Sequence, residues 1–232
     1  MAARDGSPWN TSFSIGLGMT TGGMRPFTAP ENPLVFRSRK DQLSSAAGFA
    51  AHIFVEKIHW KPSDDDGARP DFGFRAGIAT NSYTQEFEKE VFDGYKFNYT
   101  RFPIEFLICL SSKDAYIRDE DEVRVTNDRI VFHKGTGVIK TNMTVFFHGG
   151  LSYGTLNTVI AENKSLFTEK YTDSFNLIRS NISKNDPALL AGLEFRTGYI
   201  GFDVYYQKSL ATIYKGADVR NRIWGFMFKL IW

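Results

Sequence analysis

The chain has a single cysteine, Cys109, in 232 residues, so it can form no internal disulfide and offers no cysteine-based zinc site. That suits a reducing cytosol, and equally an envelope protein that does without disulfides. No run approaches the roughly 18–20 apolar residues of a membrane helix. Charge of one sign is also lacking. With 28 Lys+Arg against 26 Asp+Glu the net charge is +2, which gives no polyelectrolyte basis for a nucleic-acid partner. No His pair has metalloprotease spacing, and "DDDG" at Asp64 to Gly67 lacks the rest of a calcium loop and reads as a solvated turn. No serine sits in a recognisable nucleophile motif. Neither catalysis nor a metal or cofactor is therefore expected. The opening "MAARDGSPWN" lacks the apolar core of a signal peptide, which leaves a chain never exported or one already processed.

What is abundant is aromatic. Phe, Trp and Tyr make up 15% of residues, with 21 Phe and 10 Tyr, beside 20 Gly. That is the composition of a β-rich protein with tight turns. The apolar period is two wherever it can be read. Phe13, Ile15, Leu17 and Met19 alternate with Ser12, Ser14, Gly16 and Gly18. Phe49, Ile53 and Val55 share a parity opposite His52 and Glu56; Phe72, Phe74 and Ile78 oppose Arg75 and Asn81. Phe102, Ile104, Phe106, Ile108 and Leu110 face away from Glu105 and Cys109, and Ile139, Met143, Val145, Phe147 and Leu151 from Lys140, Asn142, Thr144 and His148. Leu189, Leu193 and Phe195 oppose Glu194 and Arg196. After a turn at Thr197-Gly198, Ile200, Phe202, Val204 and Tyr206 oppose Asp203 and Gln207. The closing "IWGFMFKLIW" sets Trp224, Phe226, Phe228, Leu230 and Trp232 on one parity and makes an eighth segment. Alternation this long argues strand.

Periodicity cannot say which face is inside. A soluble lipocalin-like barrel carrying an apolar ligand would turn its bulky residues inward; a membrane barrel would turn them out to lipid. Three features favour the second sense. Several segments reach about 10 residues, the length of a membrane strand. The polar parity is rich in Gly, Ser, Thr and mixed charges, which suits a cramped lumen. Aromatics collect at segment ends (Trp60, Tyr83, Tyr95, Tyr99, Tyr153, Tyr199, Tyr214, Trp232), as interfacial girdles do. The expected fold is all-β: one eight-stranded antiparallel, up-and-down transmembrane β-barrel of meander topology over residues 1–232, with a short tail over 1–10.

An even strand count puts both termini on one side, the periplasmic side of an outer-membrane barrel, where turns are short. One inner connection breaks that rule. It covers about residues 112–137, is acidic at Asp119 to Glu122, and carries two short β-prone pieces in "VRVTNDRIVF". They are too short to span a bilayer, so a small periplasmic hairpin is expected, with envelope partners docking on it or on the outer loops. Basic residues in the expected outer loops (Arg37, Arg39, Lys40, Lys208, Lys215, Arg220) are candidates to meet lipopolysaccharide phosphates.

The last third, "ALLAGLEFRTGYIGFDVYYQKSLATIYKGADVRNRIWGFMFKLIW", resembles the closing strands of the PorT-like outer-membrane β-barrel proteins of Bacteroidota. There a Gly-rich strand, a short turn, a strand with aromatic-Tyr-Gln and an Asn-Arg-led final strand recur. "YTRFPIEFLICLSS" resembles that family's central strand. The resemblance implies an eight-stranded barrel in the bacterial outer membrane and an accessory role in an envelope assembly, type IX protein secretion among them. It carries no catalytic motif. The alternating ending Trp224, Phe226, Phe228, Leu230, Trp232 also looks like the signal by which the barrel-assembly machinery reads its clients.

Charges of both signs fall on the expected inward parity: Glu56, Arg75, Glu105, Lys140, Glu194, Arg196 and Asp203. Eight strands leave an interior just wide enough for side chains to fill, and charges there must pair. A closed, salt-bridged lumen is expected. His52 and His148 with Asp203 form the one set weighed for hydrolysis; interior hydrogen bonding is the preferred role for both histidines.

Overall fold

A computed structural model describes residues 8–26, 45–63, 67–85, 94–118, 122–126, 129–133, 138–162, 179–213 and 219–232. Side chains near several strand ends, including 24–26, 113–118 and 138–142, are not described. Eleven strands run β1 (Trp9–Pro26), β2 (Ser45–Ala46), β3 (Gly48–Ser63), β4 (Gly67–Gln85), β5 (Gly94–Arg118), β6 (Glu122–Thr126), β7 (Arg129–His133), β8 (Val138–Glu162), β9 (Asn185–Thr197), β10 (Ile200–Ser209) and β11 (Val219–Ile231).

Eight of them close a barrel. β1, β3, β4, β5, β8, β9, β10 and β11 each pair antiparallel with their neighbours in that order, and β11 returns to β1. Closure removes both free sheet edges, which no open sheet can do. The seam is tied to the end of the chain: Phe13 N donates to Trp232 O at 2.9 Å and Trp232 N to Phe13 O at 3.0 Å. The expected turn after Thr197 is a two-residue hairpin loop. Gly198 takes φ 57 there, a left-handed value that glycine adopts at no steric cost.

The alternation has the sense expected for a membrane barrel. Phe13, Leu17, Ile53, Ile78, Ile104, Leu151, Leu189, Phe202 and Phe226 are all exposed, and every barrel strand contributes to this outward set. Residues of the opposite parity on the same strands, Ser14, His52, Glu56, Arg75, Glu105, Ser152, Glu194 and Asp203, are buried. A carrier with an apolar interior would show the reverse. On β5 the apolar face runs from Phe102 to Leu110, about 26 Å along the strand at roughly 3.3 Å per residue. Beyond one edge of the belt come exposed polar pairs, with Asn98 donating to Thr158 Oγ1 and Asn157 to Thr100 Oγ1, both at 2.7 Å. Beyond the other, Lys61 meets Asp71 at 3.2 Å.

Two expectations need correction. The strands on either side of the 112–137 connection do not stop at the barrel. β4 pairs β5 only as far as Ile108 and β9 pairs β8 only from Met143, yet β5 and β8 continue as a two-stranded ribbon to Arg118 and Val138. β6 and β7 pair as the small hairpin expected from "VRVTNDRIVF"; the ribbon before it is what the sequence reading lacked. The aromatic girdle is also smaller than the sequence suggests. Tyr153, Tyr199 and Trp232 face outward, but Tyr83 and Tyr99 are fully buried inside, and Trp60 packs against an interior cluster. These last three stand on the lumen parity of their strands: Tyr83 with Arg75 and Asn81, Tyr99 with Arg101 and Glu105, and Trp60 with Glu56 and Ile58. Tyr95 and Tyr214 lie outside the described side chains. Trp9 and Asn10 belong to β1 and not to a tail.

Candidate functional site

The lumen is filled, and its filling is built in layers. At the end nearer the termini Ile58, Leu107 and Phe146 form an apolar cluster, with Trp60 and Cys109 against it. At the other end Tyr83 stacks on Phe97 with ring centroids 5.4 Å apart and on Tyr99 at 6.1 Å.

Between these lids lies the main ion-pair network. The Arg75 guanidinium donates to Glu105 at 2.7 Å, to Asp203 at 3.2 Å and to Glu194, and has Glu56 at 3.8 Å. Arg196 reaches Glu56 and Glu194, each at 2.7 Å. Lys229 reaches Glu194 and Asp203, each at 2.7 Å. His148 has Glu105 Oε2 2.5 Å from Nδ1 and Asp203 Oδ1 2.8 Å from Nε2. Phe54 lies under two of the cations, Arg75 at 4.8 Å and Lys229 at 5.6 Å from its centroid. Glu56, Glu194 and Asp203 each have more than one permanent cation as partner, and Glu105 has Arg75 with His148 beside it; such pairing is what makes buried charge tolerable.

A second network lies nearer the aromatic lid. Arg101 meets Asp186 at 2.5 Å and Asn81 at 3.2 Å. Asn221 donates to Asp186 at 2.8 Å and accepts from Tyr83. Gln207, with its amide oxygen turned toward Arg101, accepts from that guanidinium at 2.8 to 3.1 Å. Between the two networks is a cavity of about 20 Å³, bordered by His52, Arg75, Arg101, His148, Ser152 and Asp203. It has room for one water.

Of the seven charges on the expected inward parity, Glu56, Arg75, Glu105, Glu194, Arg196 and Asp203 come together in the main network. Lys140 does not join them: it pairs with Tyr116 in the ribbon beyond the barrel wall, and its side chain lies outside the described ones. Sequence reasoning missed Lys229, Arg101 and Asp186. Lys229 was findable, since it alternates with the outward Phe228 and Leu230 and so had to face inward. His148 was weighed for hydrolysis, but both of its nitrogens face carboxylates, and the Ser14 hydroxyl donates to Glu56 at 3.2 Å. Trp224, Phe226, Phe228, Leu230 and Trp232 all lie on the outer face at the β1–β11 seam.

The glycines show how so much fits inside. Gly16, Gly154, Gly192 and Gly225 stand directly across the ladder from His52, Arg101, His148 and Tyr205. In each case the partner side chain occupies the space that a Cβ would take. Large lumen groups lie down over the neighbouring strand, which is possible only where that strand has no side chain.

No protein-family model matches the chain, and no curated protein sequence does; PorT-like membership gains no support there. Among solved structures the chain is similar to Ail, the attachment invasion locus protein of Yersinia pestis, with 10% identity, 95% of this chain and 98% of that one covered, and a TM-score of 0.37. It is similar to Neisserial surface protein A with 10% identity, 94% and 96% coverage and a TM-score of 0.39. Likeness at these identities and scores carries no argument for function, and the eight-strand closure rests on the pairings themselves.

Proposed function

We propose that this chain is an integral β-barrel of a bacterial outer membrane, closed to passage, that anchors an envelope assembly. One observation carries the reading: a continuous belt of bulky apolar side chains on the outside of all eight strands, bounded by polar residues at both edges. Such a belt is far larger than the apolar patches of water-soluble monomers and suits acyl chains. A lumen packed between two lids removes transport as the work of the barrel, so function falls to what projects from it. The β5–β8 ribbon and the β6–β7 hairpin are the largest such projection among the described residues, and they extend on the side where the termini lie. Lys208 and Arg220, at the opposite edge, remain candidates to meet lipopolysaccharide phosphates. Arg37, Arg39, Lys40 and Lys215 lie outside the described residues. Recognition by the barrel-assembly machinery through the closing strand, and an accessory part in type IX protein secretion, rest on the sequence resemblance.

Extraction tests the core of the reading. The chain is expected to fractionate with outer membranes, to need detergent to stay dispersed, and to migrate differently on gels with and without boiling. Solubility without detergent would sink it. Reconstituted in planar bilayers it is expected to give no conductance steps. Gentle isolation from the native envelope, with and without residues 112–137, tests the partner role; the same partners in both cases would remove the ribbon and hairpin from it.

A further inference from the structure

The main lumen network has an uneven number of permanent charges. Among the described residues, four carboxylates, Glu56, Glu105, Glu194 and Asp203, are held by three permanent cations, Arg75, Arg196 and Lys229. Arg101 and Asp186 balance each other in the second network. If all four carboxylates were ionised, one negative charge would be left uncompensated inside a closed barrel, a strongly unfavourable state.

His148 stands where the missing charge belongs. Its Nε2 is hydrogen-bonded to Asp203 Oδ1 at 2.8 Å, and its Nδ1 is 2.5 Å from Glu105 Oε2, an ion-pair contact outside hydrogen-bond alignment. A neutral imidazole has one donor nitrogen and one acceptor nitrogen, and an ionised carboxylate can only accept. A neutral ring between two carboxylates would therefore press lone pair against lone pair on one side. The ring has little freedom to turn away, because it lies over Gly192, where a Cβ would come 2.5 Å from Nε2. The titratable and charged groups around it are Glu105 on β5, Asp203 and Tyr205 on β10, Glu194 and Arg196 on β9, Arg75 on β4, His52 and Glu56 on β3, and Lys229 on β11. His52 differs from His148 in its charged neighbours: among the described residues it makes no ion pair, whereas His148 makes two.

We propose that the lumen contains a proton-binding site at His148, bridging Glu105 and Asp203, and that this proton is the fourth cation that makes the network neutral. The proton is then a structural part of the barrel. The apolar cluster on one side and the aromatic stack on the other keep it from bulk water. The proposal stands on lumen geometry and does not depend on which membrane, if any, holds the barrel.

The rival arrangement puts the same proton on Glu105 or Asp203 and leaves His148 neutral. Nitrogen-15 spectra of the histidine-labelled full chain, refolded in detergent micelles at neutral pH, separate the two. Both ring nitrogens of His148 are expected to be protonated; one bare nitrogen would overturn the proposal. Charge variants give an independent reading. Glu105→Gln imitates a protonated carboxyl. It is expected to weaken the barrel on the order of 100-fold in its unfolding equilibrium, because His148 then either carries an unmatched positive charge or gives up its proton and with it the ion pair to Asp203. His148→Gln is expected to do the same with the opposite sign, and the double variant, neutral again, to recover most of the loss. Glu105→Gln unfolding like the unaltered chain, or a double variant no better than the worse single, would count against it. Should neither single variant fold, folding of the double variant supports the proposal, its failure to fold counts against it, and the ring spectrum of the unaltered chain still decides.

Discussion

Phe202 and Asp203 are adjacent in β10 and occupy opposite worlds: one is 54% exposed on the outer face, the other 2% exposed in the lumen. The two faces are also built under different tolerances. On the outer face neighbours meet loosely, as Phe202 and Phe228 do edge to face at 5.3 Å, and any bulky apolar residue serves against fluid hydrocarbon. Inside, partners are individual. Asp203 is held at once by Arg75, Lys229 and His148, and His148 needs the glycine opposite it. The lumen is the ordered, protein-like core of this molecule, and it happens to be ionic; the perimeter is a solvent-matching surface.

Substitutions can break or sharpen that contrast. The largest effect is expected from Arg75→Met, which leaves four carboxylates around an uncharged stem. It should cost at least about 3–5 kcal/mol, read as loss of the folded band or as a collapsed urea midpoint in lipid vesicles. Next comes Phe228→Arg near the middle of the outer face, expected to cost about 2–4 kcal/mol. Phe228→Leu should stay below about 1.5 kcal/mol in the same vesicle titration. If the leucine variant proved as damaging as Arg75→Met, the difference in tolerance between the faces would be gone. Gly192→Ala places a Cβ 2.5 Å from both Val204 O and His148 Nε2. It is expected to cost about 1–3 kcal/mol and to broaden the His148 ring resonances. The smallest change belongs to the rim. Asn98→Ala gives up an exposed hydrogen bond to Thr158 and should move stability by no more than about 0.5 kcal/mol.

Much of the wall was readable before any coordinates. Alternation marks all eight strands, and the parity that carries Glu56, Arg75, Glu105, Glu194, Arg196 and Asp203 is the lumen parity. Where reading failed, the cause was local. Tyr83 and Tyr99 sit at strand ends, where aromatic residues suggest an interface, but they stand on the lumen parity with Arg75 and Arg101 and lie inside. Phe54, Ile58, Leu107 and Phe146 stand on the polar parity and still fill the interior, because a lumen between two lids needs apolar plugs as well as charges. Lys140 was assigned inward by parity alone. Parity says nothing about whether a strand is still in the barrel wall, and at Lys140 β8 has already passed into the ribbon.

The order of residues along the chain is enough to decide that each strand has a greasy side and a polar side, since side chains in an extended backbone alternate with period two whatever surrounds them. It does not decide who meets whom. That Arg75 on β4 reaches Asp203 on β10, or that His148 lies down over Gly192, depends on the register of strands far apart in sequence. Only closure of the sheet brings those strands within a few ångströms across one narrow lumen, so the pairing of its charges belongs to the tertiary structure.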